Sequence, residues 1–484
     1  MEPMPLADLA TVVAATLPTG ADPAGLVGPA VIIDSRLAEP GCLFVALPGE
    51  RTDGHDFVAV AVEAGAAASL VTHPVTGGGV QLVVDDPQAA LTRLAHHLVS
   101  QARDRLQVIG LTGSSGKTTT KDILAQVLAA DGPTVAPTGS WNNELGVPLT
   151  ATRIDHTTRY LVIEMGARGP GHIQTLCDIV EPGIGLVLNV GQAHLGEFGD
   201  QQTTAQAKGE LIAALPTAGW AVLNADDPWV AGMAERHQGP VAWFSAVGEP
   251  PRSAGQVAVW ASAVTADDRQ QHSFTLHLTD TVVGRVDLQL PGQHQVANAV
   301  AAAAAAIVAG VEPATVVAAL SQAQRQSPWR LEITPRADGL LVINDAYNAN
   351  PDSMRAALAT AAGLLASRRP EQPKARLVAV LGDMLELGPA AADAHQTVGR
   401  QAVASGVTDL IAVGQYAPDL IAGATAAATE AAVELTTERA EDWSAAVSYL
   451  GQLTPADIVL VKASRGVGLE AVAQSVLAAK DETC

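Results

Sequence analysis

The segment Val108–Thr120, VIGLTGSSGKTTT, decides the fold: an apolar run leads into a glycine and serine loop, and Gly-Lys-Thr then opens a helical stretch. The apolar run is typical of a buried strand, and the helical stretch extends to Ala130. Glycines let backbone N–H groups converge on phosphate oxygens, and a helix start adds a favourable dipole. Lys117 can then reach the β- and γ-phosphates, and the Thr118 hydroxyl can coordinate Mg²⁺. The segment predicts a nucleoside triphosphate site formed by Thr112, Gly113, Ser114, Ser115, Gly116, Lys117, Thr118 and Thr119.

The spacing of this loop differs from the usual GxxxxGK[ST] pattern, because Leu111 stands where that pattern has its first glycine. The loop is therefore a TGxxGKT variant and not that of an ordinary motor or GTPase. A glycine and serine turn with no ligand is the alternative, but strand, loop and helix signals all agree with a phosphate loop.

Strand-like runs alternate with helical stretches on both sides of this loop, which predicts parallel sheets covered by helices. The first hundred or so residues look like a small α/β domain. Strand candidates recur at residues 160–163, 186–188 and 221–223, and a polar segment at 321–330 looks like a linker. Further strands alternate with alanine-rich helices beyond it, as in a Rossmann-like domain. We therefore predict three α/β domains with boundaries 1–104, 105–325 and 326–484.

Composition excludes several classes of protein. The chain has 484 residues, 28 basic against 50 acidic side chains and a net charge of −22, which argues against nucleic-acid binding. Three well-separated cysteines predict neither a disulfide framework nor a metal pair. The most apolar run, Ala299–Val308, is far shorter than a membrane span, and no basic residue precedes Arg36. We expect a cytoplasmic protein without a membrane partner.

Candidate side chains for metal chemistry follow the phosphate loop. Glu164 ends a buried strand and is followed by glycine, so it can coordinate a phosphate-bridging Mg²⁺, although a surface glutamate is the alternative. His194 lies in the loop after the next strand. Lys208, expected at a helix start, is one of only six lysines among the 28 basic residues. Lysine, unlike arginine, can lose its proton and could react with CO₂ to give an anionic carbamate, with an ordinary solvated lysine as the alternative.

The order of these motifs resembles that of the ATP-dependent Mur ligases over nearly the whole chain. The matching segments are TGSSGKTTT, SWNNELGVP, Glu164, NVGQAHLGEFG, AKGE, GQHQVANA, WRLE and KASRG. The segments NNELGVP, DAYNANPDSM and LGDMLELG are most similar to the branch that adds D-alanyl-D-alanine, and no DNPR-type string of a sister branch occurs. The segment Asp34–Arg36 looks like part of the family's UDP-handling domain.

The resemblance implies an ADP-forming amide ligase that joins D-alanyl-D-alanine to UDP-N-acetylmuramoyl-tripeptide through an acyl phosphate, using ATP and Mg²⁺, and we expect a monomer. It implies a catalytic set of Lys117, Glu164, His194 and Lys208. One Mg²⁺ would be held by Thr118 and Glu164, and a second by His194 and carbamylated Lys208. The remaining nucleotide contacts would be Asn142, Asn298, Arg330 and Asp345. The expected substrate-binding residues are Ser35, Arg36, Asn348, Lys462, Ser464 and Arg465.

Some positions leave alternatives open. Gln295 stands where the family usually has asparagine in HNxxN, which puts its role in doubt while Asn298 still matches. Lys462, Ser464 and Arg465 could be a plain cationic loop after a strand, and Asp383 and Glu386 could be caps at a helix start.

Three other functions fit the sequence less well than the ligase does. A folylpolyglutamate synthetase would lack the UDP-sugar module. A motor or transport ATPase would need the standard loop spacing and usually a strand-end aspartate. An idle UDP-sugar scaffold would not need Lys117, Glu164, His194 and Lys208 together.

Overall fold

Three α/β units follow one another along the chain. The computed structural model describes residues 1–49, 52–191, 200–250, 252–253 and 256–479. It contains a two-stranded and a four-stranded sheet near the N-terminus, a nine-stranded central sheet and a six-stranded C-terminal sheet. The predicted fold class is confirmed, whereas the predicted boundaries at 104/105 and 325/326 stay predictions.

The N-terminal unit is a small parallel sheet, β3-β4-β5-β6, beside the antiparallel pair β1-β2. Its strands are β1 (Met4–Pro5), β2 (Leu26–Val27), β3 (Val31–Ile32), β4 (Leu43–Val45), β5 (Ala68–Val71) and β6 (Gln81–Val83). Its helices are Leu6–Val12, Val58–Glu63 and Pro87–Ala102. The last helix begins after Asp86, whose carboxylate accepts hydrogen bonds from the amides of Gln88 and Ala89, with proline at the first helical position.

The central sheet has the order β15-β14-β13-β12-β11-β10-β7-β9-β8. Its strands are β7 (Gln107–Thr112), β8 (Thr134–Val135), β9 (Tyr160–Glu164), β10 (Ile184–Val187), β11 (Trp220–Asn224), β12 (Val241–Ser245), β13 (Val257–Ala266), β14 (Gln271–Leu278) and β15 (Thr281–Pro291). The helices are Lys117–Ala129, Gly146–Ala151, His172–Val180, Gln201–Lys208, Glu210–Ala213, Pro228–Ala231, His294–Val308 and Pro313–Gln322. β13, β14 and β15 form an antiparallel extension that the sequence did not lead us to predict.

Alternating residues of β7 enter two different cores, because successive side chains of a strand point to opposite faces. Ile109 and Leu111 pack in one layer with the helix His294–Val308, while Val108 packs in the other layer with the helix His172–Val180. Residues 299–306 of the first helix are completely buried. The apolar run Ala299–Val308 therefore belongs to a core helix, and no helix among the described residues is long and apolar enough to cross a membrane.

The C-terminal sheet has the order β16-β17-β21-β18-β19-β20, and only the edge strand β16 is antiparallel to its neighbour. Its strands are β16 (Glu332–Pro335), β17 (Leu341–Asn344), β18 (Leu377–Gly382), β19 (Val407–Val413), β20 (Thr436–Ala440) and β21 (Ile458–Lys462). The helices are Pro351–Arg368, Ala391–Ala404, Ala417–Ala431, Trp443–Tyr449 and Glu470–Ala478. The carboxyl ends of β17, β18 and β21 bring their following loops to one edge, as expected of a parallel sheet.

Candidate functional site

The phosphate loop connects β7 to the helix Lys117–Ala129. The amide of Ser115 donates a hydrogen bond to Asn189 Oδ1 at 2.9 Å, and the amide of Gly191 donates to Ser114 Oγ at 2.9 Å. These bonds fix the loop to the segment that follows β10. Gly116 has φ +81°, and a Cβ atom on it would lie 2.5 Å from Asn298 Oδ1. Only glycine fits a left-handed position this close to another side chain.

Lys117 projects into the space in front of the loop. Its Nζ donates to the carbonyl of Gly113 at 2.7 Å, and enclosure by the cavity walls lowers its pKa, while the charge of Glu164 acts in the opposite direction. A lysine in this place is aimed at the position that phosphate oxygens occupy in a phosphate loop.

Glu164 ends β9 and is 1% exposed. Its Oε1 accepts hydrogen bonds from Asn142 Nδ2 at 2.8 Å and from Thr118 Oγ1 at 3.4 Å. Its Oε2 is buried and has no hydrogen-bond partner among the residues that the structure describes. An unpartnered buried carboxylate oxygen is costly unless a cation compensates it. Thr118 and Glu164 thus form an oxygen pair that suits a hard divalent cation.

Lys208 is the last residue of the helix Gln201–Lys208, so the expected helix start at this position is wrong. The helix begins instead after Asp200, whose carboxylate accepts from the amide of Thr203. Lys208 is 3% exposed, and burial together with the nearby positive charge of Lys117 lowers its pKa well below the usual value. His194 lies outside the described residues. Among the described ones, no three histidine, cysteine or acidic side chains gather as a metal-binding group.

The C-terminal unit closes over the phosphate loop through Arg330. Its Nη2 donates to Thr118 Oγ1 at 3.0 Å, and its guanidinium lies 4.2 Å from the centre of the Tyr347 ring. Ser140 joins the same group, with its Oγ 2.7 Å from Thr118 Oγ1. The expected nucleotide residue Arg330 therefore reaches the phosphate-loop threonine directly.

Asp345 and Lys462 form a buried ion pair. Lys462 Nζ lies 2.6 Å from Asp345 Oδ2 and donates to the carbonyl of Asn348 at 2.8 Å. Lys462 is 1% exposed, and burial is the main cause that lowers its pKa. Asp345 also accepts from the amide of Leu331 at 2.9 Å. Lys462 thereby holds both Asp345 and the Asn348 backbone in place.

Asn298 and Asp345 line a cavity of about 850 Å³ together with Gly116, Arg330 and Lys462. Gln295, the departure from the family pattern, accepts a hydrogen bond from Asn298 Nδ2 at 2.8 Å through its Oε1. Its Nε2 lies 3.0 Å from His294 Nε2, and burial lowers the pKa of His294 to about 4. The longer amide therefore contacts Asn298 directly and orients it.

A second cavity, of about 440 Å³, lies in front of Lys117, Thr118, Glu164 and Lys208, and Asn142 is part of its wall. The C-terminal unit contributes Asn348, Ser464 and Arg465 to it. Ser464 Oγ accepts from the amide of Leu385 at 2.9 Å. The guanidinium of Arg465 lies 4.1 Å from the Trp329 ring centre and pairs with Glu470.

Ser35 and Arg36 line a third cavity, of about 830 Å³, between the first and central units. Asp34 anchors this turn, because its carboxylate accepts from the amide and the guanidinium of Arg36. Trp141, beside Asn142, lies on the opposite wall. The chain segment from Ser140 to Asn142 thus joins this cavity to the phosphate-loop cavity.

Sequence reasoning missed Ser140 and Tyr347, which both line the 440 Å³ cavity. Glu386, for which a helix-start cap was one interpretation, lines the same cavity. The signal was present for each, since each lies within a motif that the resemblance used. Their contacts, however, depend on units far apart in the chain.

Gly116→Ala is expected to weaken ADP binding at least about tenfold, since strain of about 1–2 kcal/mol at a left-handed residue and the contact with Asn298 both disturb the loop. Gly310→Ala is the matched control, because Gly310 has φ +90° but open space around its Cβ position. Calorimetric titration with ADP should show the loss only for Gly116→Ala. Equal affinities of the two variants would contradict this role of Gly116.

Comparison with known families identifies the family to which the chain belongs. Family models match three consecutive segments: "Mur ligase family, catalytic domain" at residues 30–106, "Mur ligase middle domain" at 111–306, and "Mur ligase, glutamate ligase domain" at 329–465. The chain therefore belongs to the Mur ligase family, and the predicted family is confirmed.

Individual proteins similar to this chain come from one branch of the family. A relative from Mycobacterium tuberculosis (strain ATCC 25618 / H37Rv), named UDP-N-acetylmuramoyl-tripeptide–D-alanyl-D-alanine ligase, is 44% identical over 488 residues, covering 94% of this chain and 92% of its own. The Escherichia coli (strain K12) protein of the same name is 35% identical and covers 92% and 93%. The crystal structure of MurF from Acinetobacter baumannii has a TM-score of 0.81 at 33% identity, covering 99% of each chain. That of MurF ligase from Thermotoga maritima in complex with ADP has 0.73 at 26% identity, covering 92% and 96%.

Proposed function

We propose that this chain joins D-alanyl-D-alanine to UDP-N-acetylmuramoyl-tripeptide in peptidoglycan precursor synthesis, with ATP converted to ADP and phosphate. The observation that carries the proposal is one cavity lined by Lys117, Lys208 and Glu164. One buried oxygen of Glu164 there has no hydrogen-bond partner in the part of the chain that the structure describes. The names of the full-length relatives support the same reaction.

In the first step, the terminal carboxylate of the peptide attacks the γ-phosphorus of ATP, and ADP leaves. Two anions must approach each other, so catalysis is mainly positioning and charge stabilisation. Lys117 supplies positive charge at the transferring phosphoryl group, and the loop amides of Ser114 to Thr119 bind the phosphates. Asn298, Arg330 and Asp345 are the residues that we propose to bind the nucleoside end, with Gln295 orienting Asn298.

Mg²⁺ would lower the repulsion between the triphosphate and the carboxylate when bound. Thr118 and Glu164 fit a first ion, because Glu164 presents a buried oxygen that lacks a partner in the described chain. Asn142 holds the other oxygen of Glu164 at 2.8 Å.

A second ion is proposed to bind His194 and Lys208. Lys208 suits carbamylation, because burial and the charge of Lys117 lower its pKa and so favour the neutral amine, which attacks CO₂ and releases one proton to solvent. The product would be an anion beside Lys117, which replaces repulsion between two cations by attraction. A carbamate also extends farther from the backbone than aspartate or glutamate.

In the second step, the dipeptide nitrogen attacks the carbonyl of the acyl phosphate as the neutral amine, after its ammonium has lost a proton to solvent. Phosphate leaves with the electrons of the broken C–O bond, and the second proton lost by the nitrogen passes to the released phosphate. Arg330 holds the C-terminal unit on the phosphate loop through Thr118. Closure of this kind excludes water, which would otherwise hydrolyse the acyl phosphate. Asn348, Ser464 and Arg465 are the residues that we propose to bind the incoming dipeptide. Lys462 positions Asp345 and Asn348.

Ser35 and Arg36 are proposed to bind the UDP end, in the cavity that the Ser140–Asn142 segment joins to the phosphate site. We propose that the protein acts as a monomer. Its substrates are small water-soluble molecules, and we propose that it works in the cytoplasm.

The test is phosphate release with ATP, Mg²⁺ and UDP-N-acetylmuramoyl-tripeptide, with D-alanyl-D-alanine, with a single amino acid, and with no acceptor. We expect turnover that requires the dipeptide. Turnover with the single amino acid would assign a sister reaction, and hydrolysis independent of any acceptor would contradict a ligase.

A further inference from the structure

The segment LGDMLELG, residues 381–388, has no role in the reaction described so far. Its first acid, Asp383, acts as a cap: its carboxylate accepts from the amides of Gln415 and Tyr416 at 2.8 and 2.9 Å, just before the helix Ala417–Ala431. The second acid, Glu386, has a different position. Leu387 precedes the turn Gly388–Ala390, and no side chain caps that turn.

The backbone around Glu386 is firmly held. The amide of Met384 donates to His395 Nε2 at 2.9 Å, and the amide of Leu385 donates to Ser464 Oγ at 2.9 Å. Glu386 itself has φ +66°, a left-handed conformation that is rare for a residue other than glycine. Such strain persists where the surroundings enforce it, often at functional sites. The fold therefore holds the backbone of Glu386 in a defined conformation at the wall of the cavity.

Glu386 is exposed and faces the 440 Å³ cavity that contains Lys117 and Lys208. Its charge is near enough to Lys117 to favour the protonated lysine, which opposes the lowering of the Lys117 pKa by burial. The γ-phosphate and the donor carboxylate are both anions, and a glutamate would repel them. The remaining substrate, the dipeptide, carries an α-ammonium group, which a carboxylate binds well.

We propose that the carboxylate of Glu386 binds the α-ammonium group of the incoming dipeptide and directs its nitrogen toward the phosphate-loop side of the cavity. This inference rests on the proposed function. Ser464, which holds Leu385, and Arg465, on the neighbouring loop, lie on the same wall. The segment 381–388 would thus be the acceptor-recognition element of the C-terminal unit.

The test is steady-state kinetics of Glu386→Gln, which keeps the size of the side chain and removes its charge. We expect the KM for D-alanyl-D-alanine to rise about 10–100-fold, the range for losing a charge-assisted hydrogen bond. The KM values for ATP and the UDP-tripeptide should stay within about twofold. Glu386→Asp should recover part of the loss. Glu441→Gln, an exposed glutamate away from the cavity, is the matched control.

A second readout uses N-propionyl-D-alanine, which is the dipeptide without its amine, as a competitive inhibitor. Its inhibition constant should be similar in the wild type and in Glu386→Gln, since it has no ammonium to bind. An unchanged dipeptide KM, or a rise in all KM values together, would overturn the inference. An equal rise for Glu144→Gln, a half-buried acid that also lines the cavity and pairs with His172, would assign the ammonium elsewhere. If wild-type protein does not use the dipeptide at all, the proposed function itself fails.

Discussion

Lys117→Ala is expected to lower kcat at least about 10³-fold, because one preorganised cation at the transferring phosphoryl group contributes about that much. The protein should keep its fold. Lys117 makes its hydrogen bond to Gly113 within its own loop, and enclosure already disfavours its charge, so removing it should cost little stability. Turnover and thermal denaturation, measured on the same preparation, check both expectations.

Lys374→Ala is the matched control, since Lys374 is exposed on the turn before β18. It should retain wild-type turnover. A Lys117→Ala protein that is folded and loses less than about tenfold in kcat would show that the loop does not act on the phosphoryl group.

Lys208→Ala and Lys208→Arg are both expected to lower kcat at least about 10²-fold, comparable to the loss of other electrostatic groups. Arginine keeps the positive charge but cannot shed its proton, so it cannot form a carbamate. A short carboxylate such as propionate should restore part of the activity of Lys208→Ala only. The measurement is turnover of each variant over a propionate series.

Direct detection of the carbamate is independent of turnover. Wild-type protein equilibrated with ¹³C-labelled bicarbonate should show a protein-bound ¹³C resonance that Lys208→Ala lacks. Wild-type activity in Lys208→Arg, or no difference between the two spectra, would contradict carbamylation at this lysine.

The phosphate loop and its strand could be predicted because they are encoded in contiguous residues. β7, the loop and the helix Lys117–Ala129 form from local propensity and glycine placement, and Glu164 is identified by its position at a strand end. The resemblance to the family's motif order then identified Asn298, Arg330 and Asp345. It did not identify the residues that these side chains contact.

What escaped prediction depends on contacts between distant parts of the chain. The antiparallel strands β13 to β15 have alternating patterns that do not specify partners. The placement of Lys208 at a helix end follows from the Asp200 cap, which starts the helix earlier than expected. The contact of Gln295 with Asn298 and the ion pair of Lys462 with Asp345 required the folded structure.

The central claim is that both steps take place in one cavity: the peptide carboxylate is first phosphorylated there and is then joined to the dipeptide. It is tested most directly with UDP-N-acetylmuramoyl-tripeptide carrying ¹⁸O in both oxygens of the terminal carboxylate, followed by mass spectrometry of the products. We predict one ¹⁸O in the released phosphate, the other in the new amide, and ADP as the nucleotide product. Unlabelled phosphate, or ¹⁸O transferred to AMP, would contradict the account.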